Sequence, residues 1–134
     1  RKAYAIRKGD LLESSVAVLF CDINGLKAVN DTKGHKAGDV LIRDLAKMLK
    51  AYFGGNNVFR VGGDEFVILR ANDKPETFHA IVEEFKSAME MHTTSVSIGC
   101  SMSSLEKSLD TAIIEAEHEM YEQKKYFHNL EKSE

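Results

Sequence analysis

The chain has 134 residues and a formal net charge of -3, and 43% of its residues are hydrophobic while 29% are charged. These values suit one folded domain with a single core, and they exclude disordered and fibrous chains. The acidic balance argues against binding along a nucleic-acid polymer, and no apolar run approaches the length of a membrane span.

The sequence also gives expectations about the cellular location of the protein and the extent of the domain. We expect a cytoplasmic protein in which this segment makes no contact with a membrane. The chain begins with Arg1 and not Met, so we expect residues 1–134 to be a single domain cut from a longer, multidomain protein.

The first predicted elements are a strand, a helix and a hairpin. The apolar run Val16–Cys21 predicts a strand covered on both faces, and it ends at Asp22. Apolar residues then recur at helical spacing from Gly38 to Phe53, and residues 54–57 end this helix. Two short strands, 58–61 and 65–69, flank a turn of Gly62, Gly63 and Asp64. A turn of this kind permits positive φ and joins antiparallel neighbours, so the two strands are predicted to form a hairpin.

The second half of the chain is predicted to contain a helix, a strand and a further helix. A helix is predicted from Pro75 to Met89, a half-buried strand over 95–100, and a last helix from Leu109 that runs into a charged tail. This order favours an α+β fold of the ferredoxin-like or palm-like kind, with a mostly antiparallel central sheet flanked by helices. Two thiols fall in the strand-like runs, and we expect both to be buried and reduced. They are Cys21 and Cys100.

Three acidic residues follow the predicted strand ends. Asp22 closes a buried strand, where an unpaired carboxylate is costly, and Asp64 and Glu65 lie in the hairpin. If the hairpin neighbours the first strand, the three carboxylates converge and require a cation, for which Mg²⁺ is the natural candidate. In the alternative interpretation, Asp22 caps a turn and the other two are solvated.

Two motifs are more specific than spacing alone. The first runs from Asp22 through Asn30-Asp-Thr-Lys-Gly-His-Lys-Ala-Gly-Asp39, and the second is Arg60-Val-Gly-Gly-Asp-Glu-Phe66. Together with Val96–Gly99 and the last helix, they resemble the GGDEF family, the diguanylate cyclases, over nearly the whole chain. The resemblance implies condensation of two GTP molecules into cyclic di-GMP and pyrophosphate by a transient homodimer, controlled by an upstream sensory domain.

The resemblance also implies roles for the residues around the phosphates. Asp22, Asp64 and the backbone carbonyl of Ile23 would hold Mg²⁺, with Mn²⁺ as an alternative. Glu65 would be a further ligand or the base that activates the attacking 3′-hydroxyl, and Lys27 would neutralise charge on the triphosphate. On the residues alone, the favoured interpretation of Lys27 is an exposed loop lysine.

Further residues match the family positions that lie beside the guanine base. Asn30, His35 and Asp39 stand at the family's guanine-side positions, although His35 also suits a structural bond that shapes the loop. Asp39 can accept from the N1–H and the amino group of guanine, a pair of donors that adenine lacks. Gly62 and Gly63 would let a phosphate approach the hairpin without a Cβ in the way.

The chain departs from the family pattern at two places. Lys124 stands at a phosphate-binding position, but His128 replaces an arginine and is a weaker phosphate ligand near neutral pH. Residues 53–56 lack the arginine and aspartate of a product-inhibition site, so we expect this inhibition to be absent. The alternatives are a regulatory module that binds GTP or cyclic dinucleotide without turnover and, less favoured, a transferase acting on a polynucleotide.

Overall fold

The computed structural model describes residues 2–12, 14–92 and 94–133 of the chain. Five α-helices, four strands and one short 3₁₀ helix are found in this described part. In chain order they are α1 (Lys2–Asp10), β1 (Val16–Ile23), α2 (Leu26–Lys33), α3 (His35–Phe53), the 3₁₀ helix Gly55–Asn57, β2 (Val58–Arg60), β3 (Glu65–Ala71), α4 (Pro75–Met91), β4 (Val96–Met102) and α5 (Leu109–Ser133).

The strands form one sheet in the order β2-β3-β1-β4, and every neighbouring pair is antiparallel. This confirms the predicted α+β fold with an antiparallel sheet and the hairpin between β2 and β3. All eight residues of β1 are buried, as its continuous apolar run predicts for a central strand. In the register of β1 with β3, Asp22 lies opposite Glu65, so the hairpin does neighbour the first strand.

The two faces of the sheet pack against different helices. Leu19 and Cys21 of β1 belong to the core shared with α3 and α4, whereas Val18 and Phe20 belong to the core shared with α5. Because side chains alternate along a strand, Asp22 falls on the same face as Phe20. Its carboxylate therefore points toward α5.

Helix α5 lies unusually close to strand β4. A Cβ built on Gly99 would lie 1.9 Å from the carbonyl oxygen of Ala116, so a side chain at this position would collide with the helix backbone. Two α5 side chains also accept hydrogen bonds from the outer edge of β4. Gln123 accepts from the Ile98 amide at 2.9 Å and Glu119 from the Cys100 amide at 3.3 Å. The helix thus covers an edge that would otherwise be free to pair with another chain.

Arg70 fixes the far end of β3. Its guanidinium forms a bidentate ion pair with Asp73 and donates a 3.0 Å hydrogen bond to the Phe53 carbonyl at the end of α3. The ring of Phe53 is fully buried and packs against Phe85 with ring centroids 5.5 Å apart. Phe53, the first of the residues at which the sequence predicts that a product-inhibition site is missing, is thus part of the core. The absence of product inhibition stays a prediction.

The structure refines two local predictions. The helix predicted from Gly38 begins at His35, and a separate helix, α2, precedes it. Gly34 joins them with φ +88°, a conformation that side chains rarely adopt. The hairpin turn forms without positive φ at Gly62 or Gly63, since the positive-φ glycines among the described residues lie elsewhere.

The state of the two cysteines and the character of the helices can be compared with the expectations from the sequence. Cys21 is buried and Cys100 is half-buried, and both are free thiols. No helix in residues 2–12, 14–92 or 94–133 combines the length and the apolar character that crossing a membrane requires.

Candidate functional site

The centre of the candidate site is a lysine between two carboxylates. Lys124 Nζ lies 2.7 Å from Asp22 Oδ2 and 4.0 Å from Asp64 Oδ2. Asp22 is the penultimate residue of β1, Asp64 precedes β3, and Lys124 comes from α5, 102 residues after Asp22. The three groups meet because β1 and β3 are neighbours and α5 crosses the face to which Asp22 points.

Asp22 is the most buried of these groups, with 4% of its surface exposed. Burial raises the pKa of its carboxyl to about 6; the hydrogen bond from Lys124 opposes the rise and the adjacent Asp64 adds to it. Its Oδ1 is buried without a hydrogen-bond partner among the described residues. A buried carboxylate oxygen is expected to have a partner, so this atom is suited to receive a cation.

The donor set fits Mg²⁺ bound together with a nucleotide. Within the described ranges, no group of three His, Cys, Asp or Glu side chains is arranged to hold a metal ion. Mg²⁺ does not need such a cage, because it commonly binds through one or two carboxylates, waters and substrate phosphates. Asp22 and Asp64 supply that number of carboxylates.

Glu65 lies opposite Asp22 in the register of β1 with β3, and its carboxylate contacts α5. Its Oε2 accepts a 3.3 Å hydrogen bond from the Tyr121 hydroxyl, and burial, followed by the nearby Glu117, raises the pKa of its carboxyl. The register thus brings all three acidic residues to one edge of the sheet, as the sequence predicts, but their side chains form no three-carboxylate metal group among the described residues. The role of Glu65 as a metal ligand stays a prediction. Sequence reasoning missed both Tyr121 and Glu117, whose helical spacing gave no sign of what they face.

A cleft of about 390 Å³ opens beside Asp64 and Lys124. It begins where β1 turns into α2, and Lys27 and the exposed His128 lie on its walls. The start of a helix offers unpaired amides and the positive end of a dipole, which favour phosphate. The remaining lining residues are Ile23, Asn24, Gly25, Leu26, Ala28, Asp31 and Phe127.

Asn24 holds the start of this cleft to the edge strand. Its side-chain amide donates a 2.9 Å hydrogen bond to Ser95 Oγ, and its Oδ1 accepts a 2.6 Å bond from Ser97 Oγ. The Asn24 backbone amide also bonds to the Ser95 carbonyl at 2.9 Å. Sequence reasoning gave Asn24 no role, although it follows the strand end directly. The contacts fix the path of the chain between Asp22 and α2.

The residues predicted to read the base lie around α3. Asn30 Oδ1 is buried without a partner in the described part of the chain, and it lies against Gly38, whose Cβ, if built, would be 1.9 Å away. Asp39 lines a second cleft of about 540 Å³. His35 is exposed as the first residue of α3. The structure therefore brings Asn30 next to the turn that carries Asp39, while His35 stands at the helix junction.

The glycine hairpin is braced by an arginine. Arg60 Nε donates a 2.9 Å hydrogen bond to the Gly63 carbonyl, and its terminal nitrogen donates to the same oxygen. Gly62 and Gly63 are exposed, and a Cβ on Gly63 would meet no atom within 4 Å. Space for a ligand therefore exists at the turn. Sequence reasoning named Arg60 only as part of a motif.

The fold and the acidic groups place the domain in a structural class. An antiparallel sheet with helices on both faces and acidic groups at the start of a hairpin is a palm-like α+β domain. The family model described as "Diguanylate cyclase, GGDEF domain" matches residues 3–129. The chain belongs to the GGDEF family.

The chain also matches curated proteins over part of their length. An uncharacterized membrane protein of Staphylococcus aureus (strain USA300) is 35% identical over 85 residues, which cover 63% of this chain and 24% of the relative. The chain thus spans about a quarter of the length of the curated relatives it matches.

Two solved structures show the same fold. The active GGEEF domain of a diguanylate cyclase from Vibrio cholerae has 25% identity and a TM-score of 0.71, covering 91% of this chain and 83% of that one. The coiled coil and GGDEF domain of DgcB from Caulobacter crescentus, in complex with c-di-GMP, has 22% identity and a TM-score of 0.78, covering 93% and 75%. The second likeness concerns the fold alone.

Proposed function

We propose that this domain is a diguanylate cyclase that condenses two GTP molecules into cyclic di-GMP and pyrophosphate. The observation that carries the proposal is the meeting of Asp22 and Asp64 beside a cleft of about 390 Å³, with a buried Asp22 oxygen that lacks a partner among the described residues. Membership of the GGDEF family and 25% identity to an active cyclase domain support it.

The phosphate side would work as follows. Asp22, Asp64 and the Ile23 carbonyl would hold Mg²⁺, which, when bound, neutralises phosphate charge and polarises the α-phosphate. Lys27 and the start of α2 bind the outer phosphates in the cleft. With the triphosphate fixed, the α-phosphorus is presented to an attacking hydroxyl at a defined distance.

Glu65 is proposed as the base. The 3′-oxygen of one nucleotide bonds to the α-phosphorus of the other, the bond to the β-phosphate breaks, and pyrophosphate leaves. Glu65 takes the proton of the 3′-hydroxyl. Its raised pKa makes it a better proton acceptor than an ordinary carboxylate, and Tyr121 orients it through the 3.3 Å hydrogen bond.

Base selection is proposed to rest on the first turn of α3. Asp39 accepts from the N1–H and amino group of guanine, and the unpartnered Asn30 oxygen adds an acceptor nearby. Adenine would leave these oxygens unpaired, at a large cost in binding free energy. His35, at the junction of α2 and α3, shapes the turn that carries Asp39.

Two copies are needed for the reaction. Each domain would present one GTP, and the nucleotides would react when two domains meet face to face, so pairing supplies proximity. The curated relatives are about four times longer than the segment they share with this chain. Such extra length leaves room for an upstream sensory region that controls pairing, which we include in the proposal.

A second candidate is a regulatory module that binds GTP or cyclic dinucleotide without turnover. The observation that favours it is His128, an exposed histidine on the wall of the phosphate cleft, where the family has an arginine. A histidine is only partly charged near neutral pH and cannot form a bidentate contact with phosphate. Weak phosphate binding would reduce turnover before it abolished binding.

The deciding experiment incubates the domain with GTP and Mg²⁺, with and without a fused dimerising coiled coil, and separates the products by chromatography. Cyclic di-GMP with pyrophosphate identifies the cyclase, whereas GTP binding without product identifies the module. Asp64→Asn should reduce turnover by at least about 100-fold through loss of a metal ligand. Asp44→Asn removes the same charge from an exposed part of α3 and should not.

A further inference from the structure

The ammonium of Lys124 takes the place of a cation between the carboxylates. Its Nζ is within 2.7 Å of Asp22 Oδ2 and 4.0 Å of Asp64 Oδ2, so one positive charge serves two negative ones. Asp22 is almost fully buried, and its ion pair with Lys124 offsets the cost of that burial. Lys124 is therefore the counter-ion on which the geometry of the pair depends.

A divalent ion can reach the free Oδ1 of Asp22, but it can use Oδ2 of both carboxylates only at the position where the ammonium of Lys124 now lies. Two cations a few ångströms apart repel strongly in a partly buried site. Any metal that uses Oδ2 of both Asp22 and Asp64 must first displace Lys124. The ammonium then needs a new partner, since an unpaired charge in a half-buried position is unfavourable.

A bound nucleotide would supply that partner in the cleft. Lys124 lines the same 390 Å³ cleft as Lys27, and the other charges on its walls are Asp31, Asp64 and His128. A triphosphate in this cleft would bring negative charge to Lys124 as the metal takes over the carboxylates. A free divalent ion brings no such charge.

We infer that Lys124 is an exchangeable counter-ion: it excludes a divalent cation that arrives alone and moves to the phosphates when metal and nucleotide arrive together. The nucleotide half of this inference rests on the proposed function. The metal half stands on the distances alone. It follows that removing the ammonium has opposite effects on the two ligands.

The test compares Lys124→Met with Lys125→Met. Lys125 is the matched control, because it is the next residue of α5 but is exposed and pairs with Glu122 at 3.4 Å. Free Mn²⁺ is the first probe, measured by its electron paramagnetic resonance signal, and Mn²⁺ with a non-hydrolysable GTP analogue is the second, measured by calorimetry. We expect Lys124→Met to bind Mn²⁺ alone at least about tenfold more tightly and the Mn²⁺–nucleotide pair at least about tenfold more weakly.

The control should match the unaltered domain in both titrations. Equal affinity of the unaltered domain and Lys124→Met for Mn²⁺ alone overturns the inference, whatever happens with the nucleotide. Tighter Mn²⁺ binding by the variant, with no nucleotide binding by either protein, retains the exclusion of free metal but overturns the transfer to phosphate and the proposed function with it.

A second variant covers the case in which loss of the ion pair prevents folding. Lys124→Gln keeps a hydrogen-bond donor for Asp22 and removes only the charge. Mn²⁺ should then raise the melting temperature of Lys124→Gln and leave that of the unaltered domain unchanged. Equal stabilisation of both proteins contradicts the inference.

Discussion

Gly99→Ala probes the contact that positions α5, and with it the site. The new Cβ would lie 1.9 Å from the Ala116 carbonyl oxygen and 2.5 Å from the Met120 amide nitrogen. Both are backbone atoms, so no side chain can rotate to relieve the clash. Ordinary contact begins at 3.4 Å, which means that the helix must retreat from β4 by about 1.5 Å.

The loss of stability in Gly99→Ala can be estimated from the contacts that are lost when α5 moves away from β4. Inserting a methyl group into a packed core costs typically about 1–3 kcal/mol, and a backbone obstacle favours the upper end. Separation would also loosen Ala112, Ala116 and Met120, all fully buried against the sheet. We therefore expect a loss of about 3 kcal/mol, or roughly 10 °C in melting temperature for a domain of this size. Lys124, one turn beyond Met120, would leave hydrogen-bond range of Asp22.

Urea denaturation followed by circular dichroism measures the loss, with Gly55→Ala as the control. A Cβ at Gly55 meets nothing within 4 Å, and the residue has no positive φ, so that variant should stay within about 0.5 kcal/mol of the unaltered domain. If Gly99→Ala proves as stable as Gly55→Ala, then β4 and α5 are not packed as closely as described, and the placement of Lys124 loses its support.

Three further predictions concern other contacts. Gly38→Ala meets the Asn30 side-chain oxygen at 1.9 Å, and because that atom can rotate away, we expect less than about 1.5 kcal/mol of destabilisation but about tenfold weaker GTP binding by calorimetry; unchanged GTP affinity would remove Asn30 from the base site. Arg70→Ala leaves the mostly buried Asp73 unpaired and should cost about 2 kcal/mol in urea denaturation, whereas a loss under about 0.5 kcal/mol would show that the ion pair is solvated. Burial, followed by the charge of Glu119, raises the pKa of Cys100 to about 12 from an ordinary 9.0. At pH 8 the thiolate fraction of Cys100 is therefore about a thousandfold lower than that of a cysteine with the ordinary pKa. Ellman's reagent should therefore label it only as the chain unfolds, and fast labelling of the folded domain would contradict this.

The sheet and its covering helices could be predicted because each depends on a local pattern. Six consecutive apolar residues from Val16 require burial on both faces, which only a central strand provides. The helical spacing in α3 and α4 marks one apolar face each, and Pro75 marks the start of the latter. The antiparallel hairpin likewise follows from two short β-rich runs around a glycine turn.

The details of the site depend on contacts between distant residues, which local patterns do not reveal. Tyr121 reaches Glu65 across 56 positions of sequence, and Lys124 reaches Asp22 across 102. Helical periodicity places these α5 residues on faces of the helix but does not say which sheet residue each face meets. The helix α2 was missed for another reason: its eight residues contain no buried side chain, so no apolar stripe marks it.

The position of α5 along the sheet determines most of the contacts in the site. Within two turns of α5, the backbone of Ala116 contacts Gly99, Tyr121 meets Glu65, Gln123 covers β4, and Lys124 reaches the end of β1. Because consecutive residues of a helix are 1.5 Å apart along its axis, these contacts cannot shift independently. A substitution that moves α5 is therefore expected to disturb the carboxylates even when it lies far from them.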